Sequence, residues 1–99
     1  MKKHKTIVQL IRKVESIFDM SLIEFSDSWD GDLCALGLKR GLKTVYINTY
    51  NYIDESTPAY DYDLELNETA DETKYQVIKC GRCVSEDELI DELKSFLEL

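Results

Sequence analysis

Apolar residues recur along this chain with two different spacings. Near the start, Ile7, Leu10, Ile11, Val14, Ile17 and Phe18 fall three or four positions apart. That 3.6-residue period puts one apolar stripe on a helix running from Lys5 to Met20, with Thr6 as the expected N-cap. Near the end, Leu89, Ile90, Leu93, Phe96 and Leu97 repeat the pattern behind Ser85-Glu86-Asp87-Glu88. Serine followed three residues later by glutamate is a capping box, and acidic side chains in a first turn oppose the helix dipole favourably.

Between these segments the period drops to two. Tyr60, Tyr62, Leu64 and Leu66 alternate with Asp61, Asp63 and Glu65, which predicts a strand over Ala59–Leu66. Thr44–Ile53 is rich in β-branched and aromatic residues and reads as a strand by propensity. Shorter extended runs fall at Ser21–Phe25, Leu33–Leu38 and Lys74–Cys80. Asp30-Gly31 is a hairpin signal, and Lys39-Arg40-Gly41, Asp54–Pro58, Asn67–Thr73 and the glycine at 81 mark further turns. Connections this short imply antiparallel neighbours. Two amphipathic helices need an apolar surface to cover, and one face of a sheet supplies it. The expected fold is α+β: an N-terminal helix, an antiparallel sheet of four to five strands and a C-terminal helix, both helices on one sheet face. The other face is left open to solvent or to a partner.

Ninety-nine residues suit one domain, 1–99, and are too few for two ordinary ones. With 43 % apolar and 32 % charged residues the balance is that of a globular chain. No apolar run approaches the ~20 residues of a membrane span. The basic start Met-Lys-Lys-His-Lys is followed only by broken apolar pairs, so no export signal is read and a cytoplasmic location is expected. The net charge is −8, and it is unevenly spread. Residues 44–73 carry eight carboxylates and no Lys or Arg. Binding nucleic acid directly needs cations on the protein, so nucleic acid is a poor partner. A protein with a basic groove is a better one.

Candidates for catalysis are few. The single histidine, His4, lies in the N-terminal tail, which makes a Ser-His or Cys-His relay improbable. A glycine-rich phosphate loop is missing from the sequence. Cys80-Gly81-Arg82-Cys83 has the spacing of a redox dithiol, but the helix behind it ends the sequence and no further strand completes a βαβ unit. A zinc site would have to gather Cys34 or His4 as well. The motif is therefore expected to be a tight strand-to-helix turn with reduced thiols. No enzyme activity, metal or cofactor is expected.

Binding is the better-supported expectation. If Val45 and Ile47 point inward, Tyr46, Tyr50 and Tyr52 share the open face with Asp61, Asp63 and Glu65. Tyrosine buries much area at small entropic cost and keeps a polar tip, and neighbouring carboxylates pair with Lys and Arg of a partner. Asp54 and Glu55 extend this surface. Trp29, Asp30 and Asp32, in the loop between the first two strands, form a second patch with a tryptophan in hot-spot position.

Three stretches carry a resemblance: Trp29-Asp30-Gly31-Asp32-Leu33-Cys34-Ala35-Leu36-Gly37, Val45-Tyr46-Ile47-Asn48-Thr49-Tyr50 and Tyr60-Asp61-Tyr62-Asp63-Leu64-Glu65-Leu66. In a small acidic α+β chain they resemble the bacterial toxin-immunity proteins of contact-dependent growth inhibition systems, over roughly residues 20–97. The resemblance implies a non-enzymatic protein that binds and neutralises the toxin domain delivered by a neighbouring cell, in a 1:1 complex with a monomer. Many such toxins are nucleases with basic clefts. The competing expectation is an acidic nucleic-acid mimic that inhibits a phage-defence nuclease. Twelve interspersed basic residues argue against a full mimic.

Overall fold

A computed structural model describes residues 3–26, 31–68 and 74–99. Helix α1 spans Lys5–Ile17 and buries Ile7, Leu10 and Val14. Its N-cap is His4 rather than Thr6. The His4 ring Nδ1 accepts the backbone N–H of Thr6 at 3.2 Å. Thr6 is already inside the helix, and its hydroxyl is bonded to that of buried Thr49 at 2.7 Å. The helix stops earlier than the apolar spacing predicts. Asp19 starts a separate 3-10 turn, Met20–Leu22, by accepting from the backbone N–H of Ser21.

Strand β1 is only Glu24–Phe25. It pairs with β2, Ala35–Arg40, in the register Phe25↔Leu38. Residues 26–34 therefore connect the two strands, and the hairpin expected at Asp30-Gly31 falls on Asp30, which lies outside the described residues. The tight hairpin lies one step later. Arg40 opposes Lys43, leaving Gly41-Leu42 as the turn between β2 and β3, Lys43–Asn48. Gly41 takes φ 61° at the first turn position, where a type II′ hairpin requires glycine.

Strand β3 ends at Asn48, well short of Ile53, because the Asn48 side chain accepts the N–H of Tyr50 and turns the chain into a 3-10 segment, Tyr50–Tyr52. Strands β4, Tyr60–Asn67, and β5, Tyr75–Val84, follow. Helix α2, Glu86–Phe96, is capped by Ser85, whose hydroxyl accepts from the N–H of Glu88.

The five strands form one antiparallel meander in the order β1-β2-β3-β4-β5. Registers Leu36↔Ile47, Leu38↔Val45, Val45↔Leu64 and Ile47↔Tyr62 put these side chains on one face. They join Ile7, Leu10 and Val14 of α1 and Leu89, Leu93 and Leu97 of α2 in a single core. Both helices thus cover the same sheet face, as the α+β expectation requires. Lys79 of β5 pairs with Glu92 of α2 across this layer, and Lys13 of α1 with Glu86 at 3.6 Å. Among the described residues, no helix is long and apolar enough to cross a membrane.

The Cys80-Gly81-Arg82-Cys83 sequence is not a turn. It lies inside β5, which runs on to Val84. Tyr60 opposes Val84 and Tyr62 opposes Gly81, so Arg82 and Cys83 together face Asp61 in a β-bulge. Cys83 has φ 54° there. A second irregularity lies between Leu64↔Lys79 and Glu65↔Val77, with Ile78 as the extra residue. All three cysteines are free: Cys34 is buried, while Cys80 and Cys83 are exposed.

Candidate partner-binding surface

The sheet face away from the helices carries Tyr46, Asn48, Asp61 and Asp63, since Tyr46 opposes Asp63 and Asn48 opposes Asp61. Tyr50 and Tyr52 join them from the 3-10 segment rather than from the strand. The expectation that a strand presents all three tyrosines is corrected in that respect. Tyr50 is 66 % exposed. Asp32, Tyr46, Asn48, Tyr50 and Asp61 nonetheless border one shallow depression of about 270 Å³, together with Arg82.

A hydrogen-bond network fixes this surface. Asn48 Nδ2 donates to the Tyr46 hydroxyl at 2.7 Å. The Tyr52 hydroxyl donates to Asp61 Oδ1 at 2.6 Å, and the same oxygen accepts the backbone N–H of Cys83 at 3.0 Å. The Asp61 hydrogen bond, followed by burial and the Asp61 charge, pushes the Tyr52 phenol up to about 12. Arg82 lies over Asp63, both of its terminal nitrogens being 3.2 Å from Asp63 Oδ1, and also donates to the Tyr62 carbonyl. The bond to Asp63 raises the Arg82 guanidinium above its ordinary value.

The predicted carboxylates therefore divide into classes the sequence does not separate. Asp61 and Asp63 are half-buried and bonded within the protein. Glu65 faces the same side of the sheet but is only 4 % exposed, so it is no open contact residue. Its cross-strand neighbour Thr44 is fully buried, and Thr44 donates to Asn67 Oδ1 at 2.8 Å. This end of the outer face is closed. Asp54 and Glu55 are exposed in the loop behind the 3-10 segment. Asp32 is exposed as well, with one carboxylate oxygen accepting the N–H of Cys34 at 3.0 Å. Trp29 and Asp30 lie outside the described residues.

Arg82 and Cys83 belong to this surface and are missed by sequence reasoning, whereas the two-residue period already puts Asn48 on the face of Tyr46. An asparagine at the end of an apolar run is a turn signal that identifies Asn48. Nothing in the sequence marks the bulge that swings Arg82 over the acidic face. Among the described residues, no group of three His, Cys, Asp or Glu side chains is disposed to hold a metal ion. Comparison of the chain with protein-family models, curated proteins and solved structures finds no match.

Proposed function

We propose that this chain is an immunity-type inhibitor, acting in the cytoplasm, that binds a basic toxin domain through the open sheet face and the adjoining 49–59 segment. The observation that carries the reading is the gathering of Asp32, Tyr46, Tyr50 and Asp61, with Arg82 beside them, around one depression. In sequence, residues 44–73 carry eight carboxylates and no Lys or Arg, and of these Asp61 borders the depression while Asp54 and Glu55 are exposed in the loop that follows Tyr50–Tyr52. Rigid aromatic side chains with polar tips supply contact area, and exposed Asp54 and Glu55 supply attraction over distance. The toxin's nucleic-acid cleft is the complementary surface, and covering it excludes substrate. A broad phosphate mimic is less favoured, because Arg82 on Asp63, Lys79 on Glu92 and Lys43 on Glu98 neutralise carboxylates such a mimic would display.

The test is affinity capture with tagged protein from the native host, mass spectrometry of what is retained, and assay of the retained domain. A stoichiometric C-terminal fragment of a large secreted protein, toxic alone and harmless when mixed with this chain, is the expected result. Recovery of a restriction or RNA-guided nuclease instead would transfer the reading to the mimic.

A further inference from the structure

We infer that the hollow between the 51–59 segment and the β5–α2 junction receives an arginine side chain of the partner. This inference rests on the reading above that the partner is basic. The hollow measures about 430 Å³, against about 220 and 270 Å³ for two other depressions beside the same segment. Its size falls within the ~300–1,000 Å³ of ligand-sized sites, and theirs fall below it.

The lining selects the occupant. Tyr52, Pro58, Ala59 and Val84 contribute apolar wall, and Glu55 is the one Asp, Glu, Lys or Arg among the described lining residues. An anion entering here meets Glu55. A purely apolar group offers that exposed carboxylate no partner. A cation on a long apolar stem satisfies both parts. Arginine fits better than lysine: its planar guanidinium lies flat on an aromatic ring, forks two N–H groups onto one carboxylate and is more weakly hydrated.

The hollow is also built in advance. Asp61 Oδ1 accepts from Tyr52 on one wall and from the Cys83 N–H on the other, at 2.6 and 3.0 Å. Cys83 is thereby held at φ 54°, a region that residues with a Cβ seldom occupy. One carboxylate clamps both walls, so little ordering remains to be done on binding. Asp61 is then a positioning residue, and Glu55 makes the contact.

The test is a titration of the full chain with N-acetyl-arginine amide, followed by two-dimensional amide NMR at constant ionic strength. The lysine and leucine analogues serve as controls. Expected are saturable shifts confined to residues 51–59 and 83–85, weaker with lysine and missing with leucine. Glu55→Gln should abolish the saturation and leave the rest of the spectrum in place. Saturating arginine amide should also slow alkylation of Cys83 by iodoacetamide while Cys80 reacts as before. Shifts scattered over distant carboxylates, or saturation that survives Glu55→Gln, would overturn the inference. The two readings fail separately. Arginine-amide binding without any captured toxin leaves the hollow and removes the immunity role. A captured toxin whose affinity ignores Glu55→Gln removes the hollow and leaves that role.

Discussion

The ring of Tyr62 lies over Gly81 of the neighbouring strand so closely that a β-carbon on Gly81 would clash with Tyr62 Cε2. The glycine is there to make room for the ring, which in turn covers the gap a glycine leaves in a strand. Gly81→Ala forces the ring out of a core position that is only 3 % exposed. We expect a loss of about 1–3 kcal/mol, the usual cost of overpacking, measured as a lower urea midpoint with unchanged slope. Wild-type stability in the variant would show that the ring moves aside freely.

This contact also explains where the sequence is readable and where it is not. The alternation Tyr60 to Leu66 identifies β4 because one face is core and the other is not, and both helices are legible from their stripes, α2 also from its Ser85 cap, whereas the α1 cap is His4 and not the expected Thr6. Strand β5 is an edge strand exposed at most positions, so it carries no alternation to read. Gly81 then looks like a terminator, although it is a steric accommodation to a residue far away in sequence. Long-range partners likewise decide the candidate site. Period two places Asp61, Asp63 and Glu65 on one face, yet only tertiary packing buries Glu65, brings Arg82 to Asp63 and gives Asp61 to Tyr52.

The Tyr52–Asp61 bond predicts a titration. The folded Tyr52 phenol is held near 12, above its ordinary 10.0, because the protonated hydroxyl donates to Asp61. A raised value means that the contribution to stability is complete below pH 10 and is lost as pH rises from 10 toward 12. Tyr60 also ionises near 12, from burial and then the Glu86 charge. Tyrosinate absorbance of the wild type should therefore show a late-ionising fraction, which Tyr52→Phe reduces. Asp61→Asn should move the Tyr52 step back toward its ordinary range. A late-ionising fraction of the same size in the wild type and in both variants would mean the bond is not formed in solution.

Helix capping gives a pair of stability predictions. Ser85→Ala leaves the N–H of Glu88 without its acceptor, and His4→Ala does the same to Thr6. Each should cost about 1 kcal/mol, the ordinary value of an N-cap. Asn or Asp at position 4 should restore most of the loss, since either offers an acceptor to the first turn. A His4→Ala variant with full thermal stability would place the start of α1 outside the cooperative unit.

Charge reversal should separate carboxylates that hold the fold from those that attract a partner. Asp61→Lys removes the shared acceptor of Tyr52 and Cys83, and Asp63→Lys puts a cation against Arg82. Both should lower the melting temperature, so weakened binding in them is uninformative about contact. Asp54→Lys with Glu55→Lys changes two exposed side chains and should leave circular dichroism and melting temperature near wild type. With the captured toxin domain, that double variant tests steering. Between about 0.01 and 0.15 M salt the screening length contracts from ~30 to ~8 Å. The wild-type association rate should fall steeply over this range, and the double variant should begin lower and fall less. Glu15→Lys with Asp91→Lys reverses the same number of exposed charges on the two helices, which lie on the opposite sheet face. If that control flattens the salt dependence as much as the loop variant does, net charge alone governs encounter and the 49–59 segment has no special part in it.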